Sequence, residues 1–173
     1  MQLAIYIIII FLLSFVFIQD MLYRAVTWYL FPVIIAGLLG IRLLSGKTMV
    51  MIGQSSLINF AVVFLILLLL TLYLWLRKGR IVNMTRDYLG IGDILFFGVL
   101  ASYLSVLNFM FFFNVSLLST ILLYLLLKGI ASMKSIPLAG FQALVFIVFL
   151  VADRWYFHCD ITDDAWLLRL YNL

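Results

Sequence analysis

The sequence predicts an all-α, polytopic membrane protein of about six transmembrane helices, forming a single domain over residues 1–173 with no soluble domain. Three observations predict it. The 173 residues are 68% hydrophobic and only 10% charged, with a mean hydropathy of +1.29. A water-soluble domain of this size cannot hide so much apolar surface, so lipid must serve as solvent. The apolar residues also fall into runs near the ~20 residues that a helix needs to cross a bilayer. Finally, charged or Gly/Pro-containing stretches punctuate those runs.

The runs lie at roughly 2–19, 26–44, 57–76, 93–113, 114–128 and 138–157. The first has no Lys or Arg before it and no small-x-small cleavage site, so it reads as a retained span rather than a removed signal. Ser45-Gly46-Lys47 and Gly53-Gln54-Ser55-Ser56 separate the second and third runs, and Arg77-Lys78-Gly79-Arg80 closes the third. The fourth and fifth are nearly fused. One helix over both would far exceed the bilayer, so a tight turn is expected near Asn114. Lys128-Gly129 closes the fifth. The tail around Asp163-Asp164-Ala165-Trp166 suits a short amphipathic helix at the interface, with Trp166 and Tyr171 as aromatic anchors.

The formal charge is +4, and its distribution orients the chain. With the N-terminus outside, the cytoplasmic connections hold seven basic residues: Arg24, Arg77, Lys78, Arg80, Arg86, Lys128 and Lys134. The outer segments hold four: Arg42, Lys47, Arg154 and Arg169. The positive-inside rule therefore favours N-outside in a cytoplasmic (inner) membrane, and explains the basic surplus without nucleic acid. Asp20, ending the first span, and Asp93, opening the fourth, then share the cytoplasmic face.

Ionisable residues at membrane depth are costly and usually functional. Two carboxylates brought close in a low-dielectric site titrate as a pair and tend to share one proton. The ionised member can then activate water while the protonated one polarises a carbonyl and protonates a leaving amine. Asp93 closes Gly90-Ile91-Gly92-Asp93, whose glycines leave room for another backbone to approach. Taken singly, each acid has a plainer reading: Asp93 as a helix N-cap, and Asp20 as the ion-pair partner of Arg24 one turn on.

Asp20-x-x-x-Arg24 after a first span, Gly90-Ile91-Gly92-Asp93 opening a fourth, and Ile136-Pro137-Leu138-Ala139-Gly140-Phe141-Gln142-Ala143-Leu144 opening a sixth together resemble the type IV prepilin peptidase family, including the preflagellin peptidases. This group belongs to the GxGD membrane aspartyl proteases. The resemblance implies an aspartic-type endopeptidase that removes the leader of pilin-like precursors, at the cytoplasmic face and just before their hydrophobic helix. It implies Asp20 and Asp93 as the catalytic pair, with Gly90, Gly92, Arg24 and Pro137 as supporting residues, and no metal or other cofactor. Two stretches depart from the family pattern: Val26-Thr27-Trp28 stands where Ile-Pro-Asn commonly follows the arginine, and Leu95 where a lysine is frequent. Without a cysteine-bearing insert, the chain is expected to lack the methyltransferase activity of longer members. The presenilin-like GxGD group fits less well, because Gln19 precedes the first acid and Pro137-Leu138-Ala139 is not Pro-Ala-Leu. A small proton-coupled transporter and a non-catalytic membrane scaffold are the alternatives from other classes.

The remaining candidates read plainly. His158-Cys159-Asp160 are adjacent, and neighbours in sequence seldom converge on one ion, so a loop is expected. The basic stretch Arg77 to Arg86 reads as a topology-setting loop, and the sequons at Asn83 and Asn114 as accidental.

Overall fold

The computed structural model describes residues 2–79, 89–128, 136–157 and 160–171 of the chain. Among these the fold is helical, with no strand. The helices are α1 (Gln2–Tyr23), α2 (Leu30–Leu44), α3 (Met49–Lys78), α4 (Ile91–Tyr103), α5 (Val106–Lys128), α6 (Leu138–Ala152) and α7 (Ala165–Tyr171). A π-turn over Asp153–Phe157 prolongs α6. Four segments are long and apolar enough to cross a membrane: Gln2–Tyr23, Met49–Lys78, Val106–Leu126 and Leu138–Tyr156. The other two apolar helices, α2 and α4, have 15 and 13 residues. At 1.5 Å per residue they reach only about 20–23 Å, short of a hydrocarbon core of about 30 Å. The exterior is what lipid demands: Phe11, Leu57 and Leu76 are each 70% exposed or more.

α1 packs chiefly on α6 and α2, α4 on α3 and α2, and α5 on α6. They bury one core, at whose centre the Phe146 ring meets Phe96, Tyr103 and Phe112 edge-on. Such pairings add to the burial of the rings.

Most helix ends lie within a few residues of those expected, and two of the expected breaks fall elsewhere. α3 does not start after the polar stretch Gly53–Ser56 but at Met49, where the Thr48 hydroxyl caps it by accepting from the Met51 N–H. Those serines are helical because their hydroxyls serve tertiary partners: Ser55 Oγ accepts from Arg42 and Ser56 Oγ donates to the Ser102 carbonyl. The other end of α3 is as expected, with Gly79 in the left-handed region (φ 64). The break foreseen near Asn114 falls instead at Leu104-Ser105. Asn114 lies inside α5, where its side-chain amide donates to the Met110 carbonyl one turn back.

The reason for that break lies far away in sequence. Asn59 of α3 donates to the Ala101 and Leu104 carbonyls, and Arg42 of α2 to the Ser102 carbonyl, so three carbonyls at the end of α4 are capped from other helices. On the other side, Asp164 Oδ1 accepts from the Ser105 hydroxyl and from the Leu107 and Asn108 N–H groups, capping α5. No residue near 104 announces these partners. α7 forms as expected, with Trp166 Nε1 donating to Asn108 and its ring edge-on to Phe111.

At this same end, Lys47 is held 2.8 Å from Asp163 and 3.5 Å from Asp160. The hydrogen bond from Lys47 pulls the Asp163 carboxyl below its usual range. Partial burial works against the Lys47 charge, but the bonds to Asp163 and Asp160 outweigh it and raise its pKa. The depressed acid stabilises the fold above the ordinary carboxyl value of about 4 and loses that contribution as pH falls through its lowered native value. The raised lysine contributes below the ordinary value of about 10.4 and loses it only in stronger base. The pair is half open to solvent on the acid side, so Lys47→Met should cost under about 1 kcal/mol at pH 7. That difference should begin to shrink as unfolding in detergent is followed below pH 4, and go on shrinking through the lowered native value of Asp163. A difference that persists undiminished at pH 3 would show that the ion pair is not its source.

Candidate active site

Asp20 sits one turn before the end of α1 and is buried, 8% exposed. Past it the chain turns sharply: Arg24 takes a left-handed backbone (φ 55) and donates its N–H to the Asp20 carbonyl. Its side chain is exposed and forms no ion pair with Asp20. The Asp20–Arg24 bridge that the spacing suggested is therefore not made. Gln19 closes the turn instead, its side-chain oxygen accepting from both the N–H and the hydroxyl of Thr27. Thr27, a departure from the family pattern, thus has a definite partner. Trp28, 69% exposed, stands edge-on to Tyr29 outside the bundle.

Asp93 occupies the first turn of α4. Its Oδ2 accepts from the Gly90 N–H at 2.9 Å, so Asp93 is not the N-cap that the plain reading expected but the third residue of the helix, reaching back to the backbone of the N-cap Gly90. Its other oxygen does something the sequence did not show. Oδ1 accepts from the Ala139 N–H at 2.8 Å, while Asp20 Oδ2 accepts from the Gly140 N–H at 2.6 Å. The two carboxylates, 73 positions apart in sequence, are therefore held by consecutive amides of one helix.

Those amides are free for a physical reason. α6 begins at Leu138 with the buried Pro137 as its N-cap, and the first N–H groups of a helix have no intrahelical acceptors. The partial positive charge at a helix N-terminus favours carboxylates there.

The close approach expected at the motif glycines occurs at a third glycine. A Cβ on Gly140 would lie 3.1 Å from Asp20 Cβ and Oδ2, and 3.4 Å from the Phe17 carbonyl. Only a bare α-carbon lets α1 and α6 meet this tightly. At Gly92 a Cβ would meet Val26 at an ordinary 3.6 Å, and at Gly90 its nearest neighbour, at 3.3 Å, would be Asp93 Oδ2. Leu95 is half-buried against the core, so an apolar contact takes the position where relatives of the resembled family carry lysine. Sequence reasoning missed Ala139 and Gly140 as site residues. The available signal was the small pair Ala139-Gly140 just past a proline and a leucine, at the start of an apolar run.

Among the described residues no three His, Cys, Asp or Glu side chains form a metal-binding group. His158, Cys159, Arg80, Arg86, Lys134 and the Asn83 sequon lie outside the described residues. Asp160, the third member of the His-Cys-Asp run, binds Thr162 and Lys47. No family model, curated protein or solved structure matches the chain.

Proposed function

We propose that the chain is a membrane-embedded aspartyl endopeptidase that cleaves the leader of pilin-like precursors at the cytoplasmic face of the inner membrane. In this reading it has six spans with the N-terminus outside, α2 and α4 being short spans, and it carries no methyltransferase. A single observation supports the chemistry most: two carboxylates from different helices meet on the adjacent N–H groups of Ala139 and Gly140. That arrangement suits a pair that binds one water between them. The ionised carboxylate takes a proton from the water as its oxygen bonds to the scissile carbonyl carbon. The protonated carboxyl first polarises the carbonyl oxygen, and its proton reaches the departing nitrogen as the C–N bond breaks.

A proton-relay transporter would need polar groups leading across the bundle. The one buried cation among the described residues, Arg42, has a structural task instead, donating to the Ser102 carbonyl and to Ser55. The test is reconstitution of the full chain in vesicles with a pilin-like precursor, alongside an Asp20→Asn/Asp93→Asn double variant. The expected result is a leader released only by the wild type and identified by mass. Precursors left intact by the wild type, or cut by the double variant, would overturn the reading.

A further inference from the structure

The end of the bundle opposite the aspartates holds a polar cavity that the proposed chemistry does not use. It measures about 200 Å³ and lies where the last turn of α2, the first two turns of α3, the start of α5 and the segment before α7 converge. Its lining carries two cations, Arg42 and Lys47, and two acids, Asp163 and Asp164.

These charges are not all paired with one another. Arg42 is 2% exposed and forms no ion pair among the described residues. Its terminal nitrogens donate to the Ser102 carbonyl and the Ser55 hydroxyl, both neutral, and its Nε–H has no acceptor among those residues. A buried guanidinium without a counter-ion is costly, and its planar fork matches the oxygens of a phosphate. Asp163 is engaged by Lys47, and Asp164 Oδ1 caps α5. Asp164 Oδ2 has no partner among the described residues. An anion alone would compensate Arg42 but meet two carboxylates, and a cation alone would meet Arg42 and Lys47. A ligand carrying both signs avoids both repulsions.

The cavity also lies at a lipid boundary. Met51 and Val106 are its apolar walls, and Met49, Val50 and Met51 are 57–69% exposed at the start of α3. Charged groups beside apolar walls, at the ends of membrane helices, are the setting in which lipid headgroups are held.

We propose that this cavity binds the headgroup of an ethanolamine phospholipid, with its phosphate beside Arg42 and Lys47 and its ammonium on Asp164. A choline headgroup has no N–H to give a carboxylate and is held instead by aromatic rings, none of which lines the cavity among the described residues. A glycerol headgroup brings the phosphate but no cation for the acids. The proposal stands apart from the peptidase reading and is tested without turnover.

The full chain is purified from vesicles containing equal amounts of phosphatidylethanolamine, phosphatidylglycerol and phosphatidylcholine, and the lipid that stays bound is counted by native mass spectrometry. One phosphatidylethanolamine per chain is expected, retained at least tenfold over either of the others. Asp164→Asn keeps an oxygen to cap α5 while removing the charge, and Lys47→Met removes the second cation. Each should weaken retention by roughly tenfold, the worth of one charge-assisted hydrogen bond. Arg42→Gln should abolish it, and the two milder variants decide the matter if that one fails to fold. Soluble phosphoethanolamine, in a separate arm, should not displace the lipid at equal concentration, since it has nothing to set against Met51 and Val106. Displacement would make the ligand a soluble molecule and not a lipid. Equal retention of the three lipids, or full retention by both milder variants, would overturn the site.

Discussion

Asp20→Asn and Asp93→Asn should each lower precursor cleavage by on the order of 10³-fold, about the full worth of a positioned acid or base. The double variant should be hardly worse than either single one, because groups that act as a unit lose their effect together. The two substitutions should differ in stability, and this separates chemistry from folding. At Asp20 one oxygen accepts from Gly140, and an asparagine oxygen can keep that bond while removing a buried carboxylate. At Asp93 both oxygens accept N–H groups, from Gly90 and from Ala139. Asparagine must turn its NH₂ toward one of them, costing about 1 kcal/mol of helix capping. Unfolding in detergent should therefore show Asp93→Asn as the less stable of two equally inactive variants. Cleavage by either single variant near the wild-type rate would refute a shared catalytic role.

The second large effect concerns glycine. Gly140→Ala places a methyl 3.1 Å from Asp20 where α1 and α6 are most closely packed, and Gly140→Val adds two further carbons. Overpacking of this kind typically costs about 1–3 kcal/mol. Here the strain falls on a member of the proposed catalytic pair. Activity should drop about tenfold for alanine and further for valine, since a displacement near 1 Å in a catalytic group can cost about 10²-fold. Gly92→Ala is the control. Its methyl would meet Val26 at an ordinary contact distance, and alanine is the better helix former by about 1 kcal/mol. This variant should remain active and be slightly more stable, although Gly92 belongs to the motif and Gly140 lies outside the residues singled out from sequence. The reverse order of effects, measured as initial cleavage rates, would contradict the geometry.

The positions of these residues explain what could be read in advance. Helix type and most helix ends were legible, because apolar runs, Gly79 and Ser45-Gly46 act locally: a left-handed turn or a proline states its own conformation. The division of residues 93–128 was not legible. Leu104 and Ser105 carry no strong breaker, and the break between α4 and α5 is held by Asn59, Arg42 and Asp164, up to 60 positions away. The same holds for Gly53 to Ser56, which look like a turn but are helical because Arg42 and Ser102 need their hydroxyls.

The two aspartates follow the same division. Composition determined that this chain lives in lipid, since no fold can hide that much apolar surface from water. The spacing of basic and acidic residues singled out Asp20 and Asp93. Only the tertiary structure decided what holds them, because a free N–H belongs to a helix start and not to a residue type. Ala139 and Gly140 contribute backbone alone, and their two amides join α1 to α4 through the first turn of α6.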